Sequence, residues 1–252
     1  MNKFENSIKT SKTVTSKRHK ILNYFNGLKF SAEEHVYTYN HRFLSSASSV
    51  IKNFTEPFEA DKIAGYVAKS RGITKEQVLQ EWEDKKNAAC DKGNRVHDYG
   101  ENHGNYLAGR GTLVPPSDLY EEAVLKFWDS VPDHIYPFHM ELQMFSKDLG
   151  IAGTADIILY NEKTDKFIIA DYKTNIDLFK NYKGKKMIAP FNNMLDMPYS
   201  KYVIQLSIYQ HLFEQAGEKV EERRIIWLQP DGTYKTYKTP DIRNKILKTF
   251  KW

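Results

Sequence analysis

Two short apolar segments joined by a polar turn are the feature of this sequence that most constrains its fold. Ile157–Tyr160 and Phe167–Ala170 are rich in β-branched and aromatic residues, and the residues between them are polar, which predicts a β-hairpin. If the turn centres on Lys163 and Thr164, the register places residues 156 and 171 directly opposite each other.

Both of these opposed positions carry aspartate. Cβ atoms of directly opposed residues lie about 5 Å apart, and strand alternation puts Lys173 on the same face as Asp171. Mg²⁺ or Mn²⁺ prefers oxygen ligands, and a bound cation polarises a phosphoryl oxygen and activates water. Lys173 could orient that water or stabilise charge on the phosphate. Either aspartate alone would be an ordinary surface residue, but Asp156 and Asp171 in matched register favour a metal site over a hairpin with solvated carboxylates.

These residues also resemble a known family. Asp156 followed by Asp171-Tyr172-Lys173 resembles the signature of the PD-(D/E)XK nucleases, and Gly153-Thr154-Ala155-Asp156 resembles its form in the RecB-like branch, in which Ala often replaces Pro. Two further motifs of that branch follow the expected order, Gly-x-x-x-His at residues 93–97 and Gln-x-x-x-Tyr at residues 205–209. The resemblance covers about residues 43–215, including segments at 48–50 and 186–190 that are often seen in small phage and mitochondrial-type relatives.

The resemblance implies a fold and a set of site residues. The fold class is α/β (α+β), with a restriction-endonuclease-like core, a mixed central β-sheet flanked by helices, and a helical N-terminal region. The cofactor is one or two Mg²⁺ or Mn²⁺ ions. The implied catalytic residues are Asp156, Asp171 and Lys173, and the implied metal ligands are His97, Asp156, Asp171, the Tyr172 carbonyl and Glu141, the last as a second-shell or second-metal residue.

His97 lies in a segment that reads as one long helix from Thr74 to about Asn105. Residues 74–77 form a capping-box pattern, and Trp82, Ala89, Gly93, Val96 and Gly100 form a stripe at helical spacing that can pack on a sheet. A histidine beside such a stripe is commonly a core or surface residue, and it is the resemblance that places it at the metal. Glu141, predicted to begin the strand before the hairpin, would likewise be a surface residue without the resemblance.

A second helix is predicted from Ser200 to Ala216, with Pro198 before it and Gly217 as its stop. Gln205 and Tyr209 share one face at i,i+4. They are either a structural pair or substrate-binding residues. These roles are compatible, and the resemblance favours the second.

The charge pattern suits a polyanionic partner. The net charge is +5, and lysines cluster near the N-terminus and just after the hairpin. The connection at 177–198 is long enough to be functional. Its Lys183, Lys185 and Lys186, with Tyr182 and Phe191, could bind a single strand by charge and stacking. We therefore expect DNA, as single strands or ends, to be the partner.

Composition excludes several classes of protein. The aromatic content of 13% over 252 residues is typical of a folded chain rather than a disordered one. The only cysteine, Cys90, is predicted to be a core residue, and a single cysteine excludes a disulfide and a Cys-ligated iron–sulfur cluster. Without an 18-residue apolar run or a secretory signal, we expect no membrane span and a cytoplasmic location, in a cell or in the host of a virus.

The chain divides into a basic N-terminal tail and lead-in at 1–42, and a nuclease domain at 43–252. Within the lead-in, residues 1–20 read as a mobile tail and 21–43 are ambiguous. Further helices are predicted at Ala47–Phe54, Asp61–Ser70, Leu119–Trp128 and Asp241–Phe250, and strands at Arg224–Leu228 and Thr233–Tyr237.

The sequence thus predicts a metal-dependent DNA nuclease. With no separate base-reading motif, an exonuclease acting on ends or single strands in recombination, repair or replication is favoured, with a recombination protein as a candidate partner. The alternatives are a structure-specific endonuclease in recombination or defence, and a DNA-binding member of the fold that has lost its chemistry.

Overall fold

The computed structural model describes residues 12–31, 33–34 and 36–249, and within them the chain forms seven helices and eight strands. The helices are α1 (Lys12–Tyr24), α2 (Ala47–Lys52), α3 (Ala60–Arg71), α4 (Lys75–Leu107), α5 (Leu119–Ser130), α6 (Pro198–Glu214) and α7 (Arg243–Thr249). The strands are β1 (Leu28–Ser31), β2 (Val36–Tyr39), β3 (Arg42–Ser46), β4 (Ile135–Ser146), β5 (Ile151–Asn161), β6 (Lys166–Lys173), β7 (Val220–Leu228) and β8 (Tyr234–Lys238).

The strands form one mixed sheet in the order β1-β2-β3-β5-β6-β7-β8, with β4 paired to β5 outside this path. The β3–β5 and β6–β7 pairs are parallel and the others are antiparallel. This confirms the mixed α/β sheet that the sequence predicts. The predicted hairpin register is also confirmed, since Tyr160 pairs with Phe167 and Ile157 with Ala170.

Helices cover both faces of the sheet. Tyr172 of β6 contacts α4 at Gly100 and accepts a hydrogen bond from Trp128 of α5. Its neighbour Lys173 lies over the ring of Tyr202 in α6. Because consecutive strand residues point to opposite faces, α4 and α5 cover one face and α6 covers the other. The buried side chains of β4–β7 form the core between these layers.

The N-terminal region differs from its prediction. The tail expected at 1–20 contains helix α1 from Lys12 onward, while residues 1–11 lie outside the described part of the chain. The ambiguous lead-in at 21–43 contains β1 and β2, so the N-terminal region is not only helical. The expected boundary between residues 42 and 43 falls inside β3, which pairs with β5.

The prediction that Cys90 is a core residue is wrong. The long helix is confirmed, with its capping box at Thr74 and Gln77, but Cys90 and Ala89 are exposed. Only the C-terminal part of α4 packs on the sheet. Its first turns pack instead on α3, where Val78 joins a separate small core. Helical spacing identified the stripe but not how far the sheet beneath it extends.

The remaining predicted helices, and the strands at 224–228 and 233–237, are present within four residues of their expected ends, whereas the strand expected to begin at Glu141 begins at Ile135. α6 begins with Pro198 at its first turn, and Gly217 has a positive φ of 80° just beyond the helix. Residue 250, the expected end of α7, lies outside the described residues. None of the helices in the described ranges combines the length and apolar character that crossing a membrane requires.

Candidate active site

Three neighbouring strands bring three carboxylates into line across the sheet. Asp156 and Asp171 are one step beyond the last paired residues of β5 and β6, where the register sets them opposite each other. Glu141 lies mid-strand in β4, and not at a strand start as predicted, between residues paired with Ile157 and Ala155. It therefore stands across from Asp156. Its positive φ of 50° is a strained conformation that a non-glycine residue seldom adopts.

Helix α4 supplies the imidazole of the site. A Cβ at Gly100 would lie 2.5 Å from the Tyr172 ring, so only glycine allows α4 to lie this close to β6. One turn earlier, His97 places Nδ1 3.2 Å from Asp156 Oδ2 and Nε2 3.1 Å from the Tyr172 carbonyl oxygen. The Tyr172 backbone N–H donates to the same Asp156 oxygen at 2.8 Å.

His97, Glu141 and Asp156 form a group that could hold a metal ion, with their ligand atoms all within 4.8 Å of one another. The Tyr172 carbonyl is 3.1 Å from His97 Nε2 and would add a further oxygen ligand. The Asp171 carboxylate is outside this group and pairs with the Lys173 ammonium. The donors are mainly hard oxygens, which fits Mg²⁺ or Mn²⁺.

The electrostatics of the group also fit a cation. Burial, and then the charge of Asp156, raise the pKa of Glu141 to about 8 and that of Asp171 to about 6. Burial opposes the charge of His97, but the Asp156 carboxylate outweighs it and raises the His97 pKa to about 9. In turn, burial disfavours the charge on Asp156, but His97 outweighs it and lowers that pKa. Since both ring nitrogens of His97 face acceptors, the protonated ring supplies positive charge that a metal ion would replace.

Lys173 is held as a cation beside these carboxylates. Burial lowers its pKa, but the charges of Asp171 and Asp156 outweigh burial and raise the pKa above its usual value. Its Nζ also lies 4.5 Å from the centroid of the Tyr202 ring. A lysine held in this state can stabilise negative charge but is a poor proton acceptor at neutral pH.

A cleft of about 310 Å³ opens beside Lys173. α2 contributes Ser48 and Lys52 to its wall, and α6 contributes Lys201 and Gln205. The mixture of hydroxyl, amide and ammonium groups suits a phosphate-bearing chain. We did not predict Lys52, Lys201 or Tyr202 as cleft residues from the sequence. Lys201 and Tyr202 lie one turn before Gln205 on the same helix, and this spacing could have identified them.

Gln205 and Tyr209 form the predicted pair. Gln205 Nε2 donates to the Tyr209 hydroxyl at 2.9 Å. Tyr209 is buried, and a Cβ at Gly153 would lie 2.5 Å from its ring, so the pair fixes α6 against β5. Gln205 also lines the cleft, so the structural role is shown and a role in substrate binding is open to it.

The residues of the 177–198 connection that were predicted to bind a nucleic-acid strand differ in their exposure. Lys183 and Lys186 are exposed, as is Tyr182, whereas Lys185 pairs with Glu56 at 3.0 Å. Stacking by Phe191 is excluded because its ring is fully buried, edge-on to Phe54 at 4.9 Å. The sequence of a loop does not show whether an aromatic residue in it is buried as an anchor or exposed to solvent.

Comparison with known proteins gives little for this chain. No family model matches it, and no curated protein matches it. A solved structure described as "Crystal structure of SSO0001" is 16% identical, with 95% of this chain and 84% of that chain covered and a TM-score of 0.34. A similarity this weak carries no argument about fold or function.

Proposed function

We propose that the protein is a divalent-cation-dependent DNA nuclease of the PD-(D/E)XK superfamily, RecB-like branch. The observation that supports this best is the convergence of Asp156, Asp171 and Lys173 with His97 and the Tyr172 carbonyl. The order of these residues in the chain is that of the motifs they resemble. A DNA-binding member without chemistry would not need Lys173 held as a cation beside two buried carboxylates.

In this proposal Asp156, Glu141, His97 and the Tyr172 carbonyl would hold the cation, with Asp171 close by. A bound Mg²⁺ or Mn²⁺ would polarise a phosphoryl oxygen and lower the pKa of a water molecule. Lys173 stabilises the charge that develops on the phosphate. Ser48, Lys52, Lys201 and Gln205 position the substrate backbone in the cleft beside Lys173.

The reaction is phosphodiester hydrolysis, and an exonuclease is favoured over an endonuclease. In the described part of the chain, the cleft is lined by groups that suit phosphates, and no element is set apart to read bases. Roles in recombination, repair or replication, with a recombination protein as partner, follow from the family resemblance.

The test is digestion of four DNA substrates: linear and circular, each single- and double-stranded. Wild-type protein with Mg²⁺ or Mn²⁺ should degrade linear DNA and spare circles, and EDTA should stop the reaction. Asp156→Asn should abolish cleavage, whereas Asp98→Asn, on the exposed side of α4 next to His97, should not. Cleavage of circles would support the endonuclease alternative. Absence of cation-dependent cleavage of every substrate would refute the proposal.

A further inference from the structure

Four aromatic side chains meet on the α6 face of the sheet, just beyond the end of β6. Phe179 lies 5.1 Å from Tyr199, 5.2 Å from Tyr237 and 6.3 Å from Trp227, measured between ring centroids. Tyr237 also lies 6.3 Å from both Tyr199 and Trp227. We call these four residues the aromatic quartet. None of the four has a role in the proposed catalysis.

The quartet is joined to the candidate active site by direct contacts. Trp227 is paired in register with Lys173, so both side chains lie on the same face of the sheet. The Trp227 indole N–H donates to the Asn175 carbonyl at 2.7 Å, and the Asn175 side chain accepts from the Tyr202 hydroxyl at 2.8 Å. Tyr202 in turn carries the Lys173 ammonium over its ring.

Part of this surface is open to solvent. Phe179 is 41% exposed, and Tyr182 and Ile176, three residues after and before it in the chain, are 68% and 95% exposed. Three exposed apolar side chains within seven residues are more than the scattered single residues that protein surfaces ordinarily carry. The contacts that hold the quartet together therefore leave surface available for a partner.

Two lysines lie over aromatic rings in and beside the quartet. Lys235 lies over the Trp227 ring at 5.5 Å and Lys180 over the Tyr182 ring at 5.3 Å. Among the described residues, neither lysine has a carboxylate within ion-pair distance. The exposed Asp177 carboxylate accepts a hydrogen bond from the Phe179 backbone N–H at 2.8 Å, which leaves its negative charge in place. Aromatic faces interleaved with free ammonium groups are the combination that binds single-stranded nucleic acid.

We propose that the aromatic quartet, with Tyr182, Lys180 and Lys235, is a stacking platform for unpaired nucleotides next to the scissile phosphodiester. The inference rests on the proposed nuclease function and narrows its substrate to a strand that is single-stranded on this side of the site. Base pairs inside a duplex cannot use the platform, because both of their faces are already stacked on neighbouring pairs. A protein partner is less well matched, because the charged side chains that lie over rings of this patch, Lys180 and Lys235, are both cationic.

The test measures binding in Ca²⁺, which holds DNA without supporting turnover, using a fluorescent oligo-dT and an abasic oligomer of the same length. Phe179→Leu keeps the apolar side chain and removes the ring. It should weaken oligo-dT binding about tenfold, the effect of one lost stacked base, and leave abasic binding nearly unchanged. Phe179→Trp should bind like wild type, and Tyr24→Leu, a similarly exposed ring on α1, should change nothing.

Equal binding of oligo-dT by wild type and Phe179→Leu would overturn the platform, and so would equal losses for oligo-dT and the abasic strand. Thermal melting of Phe179→Leu checks its fold, and recovery in Phe179→Trp shows that the ring is what matters. If wild type cleaves DNA but Phe179→Leu binds oligo-dT as wild type does, only the platform proposal is wrong. If wild type neither binds nor cleaves DNA, the proposed function fails with it.

Discussion

At the scale of single residues, some members of the site could be predicted from local sequence and Glu141 could not. Asp156, Asp171 and Lys173 follow from hairpin register alone, because the turn centre at 163–164 fixes which residues face each other. Glu141 has no such signal, since nothing in its neighbours predicts a left-handed φ in the middle of β4. Only the family resemblance pointed to it. The exposure of Cys90 and the burial of Phe191 depend on which distant element covers them, which local pattern does not report.

Glu141→Gln gives the first prediction. The variant removes a buried carboxylate whose pKa is raised to about 8 by burial and by Asp156. The advantage of the metal-free variant over wild type should therefore grow between pH 4.5 and pH 8 and reach roughly a few kcal/mol, at about 1.4 kcal/mol per pKa unit, while its affinity for Mg²⁺ should fall. Chemical denaturation in EDTA and calorimetric Mg²⁺ titration measure the two effects. Glu33→Gln, at an exposed position, serves as control. Lower stability with unchanged Mg²⁺ affinity would contradict this placement of Glu141.

At the scale of elements, local sequence signals correctly predicted most of the helices and strands that follow residue 46. The capping box at Thr74, the proline before α6 and the glycine after it mark real ends. They failed for β1–β3, because these short strands, with burial patterns that are mostly intermediate, carry little apolar alternation. Their place in the sheet is set by pairing with β5, more than a hundred residues away in sequence.

Gly100→Ala tests the packing of α4 on β6. The added methyl would meet the Tyr172 ring at 2.5 Å, and that ring is fully buried with its hydroxyl bonded to Trp128. We expect a loss of about 1–3 kcal/mol in unfolding free energy and reduced cleavage, because the shift separates His97 from the Tyr172 carbonyl. Gly65→Ala in α3 has nothing within 4 Å of its new methyl and should gain up to about 1 kcal/mol. Equal stability of the two variants would contradict the close approach.

At the scale of the whole molecule, the site ties stability to pH and to metal. The folded-state pKa values of His97 and Glu141 are raised to about 9 and about 8, from ordinary values of 6.5 and 4.5. A raised pKa gives stability that is complete below the unfolded value and is lost as pH rises through the folded one. The metal-free protein should therefore become less stable between pH 7 and pH 9.

Melting temperatures in EDTA at pH 7, 8 and 9 measure this loss, and Mg²⁺ should reverse it most strongly at the highest pH, where fewer protons must be displaced. His97→Gln should flatten the dependence in EDTA. A melting temperature that rises across this range without metal would show that the His97 and Glu141 protons are not held as described.

The most direct test of the central claim is single-turnover cleavage by Lys173→Met, measured beside Mn²⁺ and DNA binding. The ammonium has no lone pair for a metal, so the variant should bind Mn²⁺ and, in Ca²⁺, DNA within a modest factor of wild type. Its cleavage rate should fall about 10²–10³-fold, the usual effect of one preorganised electrostatic group. Cleavage by Lys173→Met at close to the wild-type rate would contradict the assignment of this hairpin as the catalytic centre.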